Sequence, residues 1–227
     1  MISRLREHPR TFVVLMLILT VGTGIIDAVG YLGLDRVFTG NMTGNVVILG
    51  MGLAGADDLP VAGPLVALGC FMAGAAGAGR AVRGRAPGSG WSARHTVVMA
   101  AVATVLAASG AVALTVEDPS PAVVKAITGA LGFAMGCQAG AARHLAITDL
   151  TTVVITSTLT GLAADSVLGQ GTGQPWLRRT AAIVLIAVGA ALGAVLLRVH
   201  AGWGMVCVAA LTAAVAAVGH VVRPVRD

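Results

Sequence analysis

Charge is scarce in this sequence: Asp, Glu, Lys and Arg together make up 11% of the residues, against about 25% in a typical soluble domain. A water-facing surface cannot be covered with so few charges, so an ordinary soluble fold is excluded. Aromatic residues are scarcer still, at 4%, which removes large interlocking rings as the general means of packing. The three cysteines, Cys70, Cys137 and Cys207, each sit inside an apolar run with no paired spacing, the pattern of packing residues rather than of disulfides or metal ligands. Lysine is almost missing; all the bases except Lys125 are Arg, gathered in short segments between apolar runs. The net charge of +5 therefore reads as the positive-inside pattern of a membrane protein, and no nucleic-acid partner is expected. No phosphate loop, His-Glu zinc pattern or nucleophile–base pair is present, so neither enzymatic activity nor a cofactor nor a metal site is expected.

What the sequence has in plenty is apolar length and glycine. Hydrophobic residues make up 56% and glycine numbers 31, a combination that lets helix backbones approach closely in lipid. Six segments, about 11–32, 61–79, 95–116, 122–142, 180–197 and 202–222, reach the roughly 17–25 residues a bilayer span needs. Two more, 38–55 and 149–164, are apolar but short and rich in Thr, Asn and Gly. The first segment follows Arg4, Arg6 and Arg10, yet it runs well past the 7–15 residues or so of a signal-peptide core, so it reads as a retained span.

Charge helps to fold this list into a topology. If 38–55 dips into the membrane and returns, the loop 80–94 with Arg80, Arg83, Arg85 and Arg94 falls on the cytoplasmic side, as the positive-inside rule prefers. The same treatment of 149–164 puts Arg143, Arg178, Arg179, Arg223 and Arg226 there too. The expected architecture is an all-α polytopic membrane protein: one integral membrane domain over 1–227, six transmembrane helices and two short re-entrant or broken helices, with both termini cytoplasmic. Eight full spans is the alternative. Half 1 covers about 11–116 and half 2 about 122–222, and three spans per half would turn the second half over, giving an inverted 3+3 repeat. The short segments support this faintly, since Thr43 can be laid on Thr152 and Leu53-Ala54 on Leu162-Ala163 at one offset.

Polar side chains in such a chain are conspicuous. Asp27 lies well inside the first segment, on a helical face with Thr20, Thr23, Gly30 and Tyr31. An intramembrane acid is costly unless it meets a partner or a cavity, so Asp27 is a site for a proton or a cation, or else an acid bonded to a neighbouring helix end. The box Phe38-Thr39-Gly40-Asn41-Met42-Thr43-Gly44-Asn45 pairs Thr39 with Thr43 and Asn41 with Asn45, each four apart. It reads as the lining of a hydrogen-bonding path, with an N-cap and turn as the plainer alternative. In the second half, Thr148, Thr152, Thr156 and Thr160 recur every four residues, and Gln138 lies inside a span. Gly132, Gly136 and Gly140, with Gly189 and Gly193, are helix-contact signals.

The run from Gly24 through Asp27 to Tyr31, the Phe38–Asn45 box, Gln138 in its Ala-Met-Gly-Cys-Gln context and Thr151-Thr152 through Thr158 together resemble the YoaK-type bacterial membrane proteins, domain-of-unknown-function family 1275. The resemblance implies a bacterial inner-membrane protein with about six or seven spans. It carries over Asp27, Thr39, Asn41, Thr43, Gly44, Asn45, Gln138, Thr152 and Thr156. The family often has Asn after the Gln; Ala139 stands there instead. The expected function is a small-solute transporter whose path is lined by the two short segments. The alternative is a non-transporting accessory or structural subunit that docks a partner through its polar box. Expected partners are the lipid bilayer, a small polar solute and, through the Gly-rich faces, a second copy in a homodimer.

Overall fold

The computed structural model describes residues 9–56, 58–145, 155–171 and 175–223. Among these residues the chain is all helix and turn: α1 (Pro9–Gly30) running into a π-helical turn (Tyr31–Asp35), α2 (Met42–Leu53), α3 (Ala62–Ala81), α4 (Ala93–Thr115), α5 (Pro121–Leu145), α6 (Ile155–Ala164), α7 (Trp176–Leu197) and α8 (Ala201–Val222). Six of them, all but α2 and α6, are long and apolar enough to cross a membrane. The short helix α2 has 12 residues, about 18 Å of rise against a hydrocarbon core of about 30 Å.

Both short helices lie on excursions that return to the side they left. Gly63 at the start of α3 lies against Asp35 and Val37 at the end of α1, and the Arg36 guanidinium donates to the Asp58 carbonyl at 3.1 Å. Leu145 at the end of α5 and Ala182 near the start of α7 share one core cluster, with Leu15, Trp91 and Ala216. A second cluster, with Ile26, Leu106, Leu131 and Met205, fills the other part of the bundle. The six long helices therefore alternate in direction, and the eight-span alternative does not fit.

Glycine sets the tightest contacts. A methyl on Gly24 of α1 would strike the Ile186 carbonyl of α7, and one on Gly189 of α7 would strike the Val21 carbonyl of α1. The pair α3 and α5 repeats this: Gly136 lies against the Phe71 carbonyl and Gly74 against the Phe133 carbonyl. In each of the four helices the glycine sits three residues after the carbonyl its partner's glycine meets, and both pairs run parallel. Dispersion and weak polar contacts at backbone distance stand in here for the hydrophobic effect, which is absent between helices in lipid.

The end of α1 explains how α2 is placed. Arg36 adopts a left-handed conformation, φ 49° and ψ 38°, and turns the chain back along α1. Gly30 lets it pass: a Cβ there would lie 2.5 Å from the Val37 carbonyl oxygen. Residues 37–41 then descend to the level of Asp27, about two helical turns below Asp35, and α2 runs outward from that depth to Leu59 and Val61, which lie against Gly52.

Candidate functional site

The start of α2 is held by a single carboxylate. Oδ1 of Asp27 accepts the backbone N–H groups of Thr39 at 3.0 Å, Gly40 at 2.7 Å and Asn41 at 3.4 Å. These amides lead into the first turn of α2, where helix N–H groups have no partner of their own and carry partial positive charge. The acid thus satisfies backbone groups that would otherwise be bare inside a membrane. Oδ2 takes no hydrogen bond from the described residues and is not sealed off, although Asp27 as a residue is only 9% exposed.

Two asparagines complete the turn in different ways. Asn41 is the N-cap, its Oδ1 accepting from Gly44 N at 3.2 Å. Asn45, fully buried, folds back on Phe38: its Oδ1 accepts the Phe38 N–H at 2.9 Å and its Nδ2 donates to the Phe38 carbonyl at 2.6 Å. That clamp fixes the Phe38 ring, which stacks on Tyr31 with centroids 4.9 Å apart and planes 19° apart. Gly44 lies beneath the same ring, where a Cβ would come within 2.7 Å.

Beside this assembly lies a cavity of about 700 Å³, walled by α1, the turn before α2, α2 itself, α6 and α7. Of the site residues expected from sequence, Asp27, Tyr31, Asn41, Thr43, Gly44 and Thr156 line it. Thr39, Asn45 and Gln138 do not; they stand behind the wall. Thr39 is buried, with its hydroxyl unpartnered among the described residues. Gln138, 1% exposed, donates from Nε2 to Thr23 Oγ1 at 3.3 Å, and Thr23 is itself a wall residue that donates to the Leu19 carbonyl. Thr152 and Thr148 lie outside the described residues.

Sequence reasoning did not select Thr23, Phe38, Ile155 or Ile186 as site residues, and all four line the cavity. Thr23 had a signal, since it shares the helical face of Asp27. Ile186 had none: it is one apolar residue in an apolar span. The described lining has no basic side chain, and no group of three or more His, Cys, Asp or Glu capable of holding a metal occurs among the described residues.

The family described as protein of unknown function DUF1275 matches residues 15–218. The chain belongs to this family. A curated relative from Bacillus subtilis (strain 168), the UPF0700 transmembrane protein YoaK, is 32% identical over 183 residues, covering 78% of this chain and 80% of the relative. No solved structure matches the chain. With six membrane-capable helices and a transmembrane relative, this member of the family is a multi-pass membrane protein.

Proposed function

We propose that the chain is a small-solute transporter or permease of the bacterial inner membrane, with its path running through the cavity beside Asp27 and with Asp27 as a proton or cation site. The observation that carries this reading is the cavity itself: about 700 Å³, with a carboxylate, three Thr and an Asn among its walls, and lined by residues of both short helices. Polar lining at the ends of short, interrupted helices is where transporters of many folds hold their solutes. An inverted 3+3 repeat belongs to the same proposal. It is supported by the matched glycine contacts, in which α1 against α7 has the same geometry as α5 against α3. Both termini are assigned to the cytoplasm with the Arg-rich loop 80–94.

The second reading, a non-transporting accessory subunit, draws on two observations. Asp27 Oδ1, Asn41 Oδ1 and the Asn45 amide are engaged within the chain, and α2 exposes Val46 and Leu53, which do not line the cavity.

Single cysteines at Asn41, Thr43 and Thr156, in a background lacking Cys70, Cys137 and Cys207, separate the two. Labelling of all three in membranes by a small water-soluble thiol reagent is the outcome expected of a transporter. Protection of all three from both sides would sink the transport reading.

A further inference from the structure

We infer that the cavity selects an organic ammonium ion, held by Asp27 Oδ2 and the stacked Tyr31–Phe38 pair. The inference rests on the transport reading for passage, but the preference for a cation comes from the cavity's own chemistry.

Three observations converge. First, Asp27 commits one oxygen to the backbone of 39–41 and leaves the other, at the cavity, without a partner among the described residues. Among the described lining residues there is no Lys, Arg or His to answer it. A carboxylate with no base among the described lining favours a positive occupant and repels an anion.

Second, Tyr31 stands one helical turn beyond Asp27, so both side chains leave the same face of the first span. Its ring stacks with Phe38, and both belong to the cavity wall. Aromatic faces attract alkylammonium groups through the ring quadrupole, and they do so without the tight oxygen cage an inorganic cation requires. This wall is built in advance, because Asn45 clamps the Phe38 backbone and Gly44 seats its ring.

Third, the remaining polar groups of the wall, Asn41, Thr43 and Thr156, are neutral. They can bond a hydroxyl or amide elsewhere on the solute without competing for its charge. One carboxylate among neutral groups, as the described lining shows, is a poor site for a bare metal ion, which needs several oxygen ligands.

The test is equilibrium binding of radiolabelled choline to the purified full chain, against its uncharged isostere 3,3-dimethylbutan-1-ol and against potassium. Choline is expected to bind at least about tenfold more tightly than the isostere, and Asp27→Asn to abolish that difference. Because Asp27 also anchors α2, Tyr31→Leu provides the second variant; Tyr31 is 39% exposed and bonds nothing in the helix start. It should weaken choline by about two- to fivefold and leave the isostere unchanged. Equal binding of choline and isostere, or displacement of choline by equimolar potassium, would overturn the inference. Liposomes separate it from the transport reading: passage of glycerol but not choline overturns the ammonium site and leaves a transporter. Choline binding without any flux leaves the ammonium site and removes the transporter.

Discussion

In the first half, α1 carries an acid, Asp27, three residues beyond the glycine that meets α7; in the second, α5 carries Ala139 three residues beyond the glycine that meets α3. The scaffold contact is the same and the chemistry beyond it is not. Among the described residues the two short helices show different polar anchors. The first is held at its start, by three amides converging on Asp27 Oδ1. The second is held just past its end, where Asp165 pairs with Arg179 of α7 at 2.7 Å. The difference teaches that the helix contacts are scaffold, able to stand in either half, while the polar anchors that the described residues show are particular to each half.

The largest effect should come from breaking the first anchor. In Asp27→Ala the amides of Thr39, Gly40 and Asn41 lose their acceptor, and buried unsatisfied groups cost about 1–3 kcal/mol each. We expect a loss of about 3 kcal/mol or more in denaturant unfolding in detergent micelles. Amide exchange should rise first over 38–45, and Asp27→Asn, which keeps an acceptor oxygen, should lose less. Unfolding of Asp27→Ala at the wild-type denaturant concentration would show that α2 does not depend on this carboxylate.

Next in size is a test of the shared scaffold. Gly24→Val and Gly136→Val each drive a branched side chain into a facing backbone carbonyl, which cannot move aside as a flexible side chain does. Overpacking of this kind costs about 1–3 kcal/mol, and here the upper part of that range is expected. The sharper expectation is equality: the two variants should lose stability within about 1 kcal/mol of each other. A large inequality would mean that the two contacts are alike in shape but not in weight.

Much of the scaffold was legible in the sequence because membrane spans are set by apolar length alone, and the six segments of adequate length are the six long helices. The return of 38–55 was legible through the charge of the Arg80–Arg94 loop. The site was harder to read, for a definite reason. Spacing arguments treat 38–45 as one helix and pair Asn41 with Asn45 on a single strip. The chain instead descends in non-helical form to Asn41 and starts α2 at Met42, so Asn41 becomes a cap and Asn45 turns inward to Phe38. Periodicity cannot show a helix start whose acceptor, Asp27, lies 13 residues upstream of Gly40. Arg179 counted in the sequence only as one of the charges that set the topology, and it stands instead in the first turn of α7, buried. Its burial at 8% exposure is offset by Asp165.

The second anchor should be weaker than the first. Asp165 is 31% exposed at the side chain, so water can partly replace it, and Arg179 has further interactions to fall back on. Asp165→Asn is expected to cost about 1 kcal/mol, within the range of partly screened pairs. Proteolysis or amide exchange should show the change in α6 and the start of α7 and not in α2. Loosening of α2 by the same variant would mean that the two short helices are coupled across the cavity, against the separate anchoring described above.

The smallest effect concerns a polar link from α5 of the second half to the wall of the cavity. Gln138 reaches Thr23 across α5 and α1 at 3.3 Å, a long bond to a hydroxyl that already donates to the Leu19 carbonyl at 3.0 Å. Interhelical hydrogen bonds of this kind in membranes average about 0.6 kcal/mol. Gln138→Leu, similar in size and fully buried, should therefore unfold within about 0.6 kcal/mol of wild type. Thr23 keeps its intrahelical bond in that variant, so a cysteine at Thr43 should label at the wild-type rate. A loss of several kcal/mol, or a cavity closed to the reagent, would give Gln138 the anchoring role in the second half that Asp27 has in the first. The two halves would then differ in the identity of the anchor rather than in its presence.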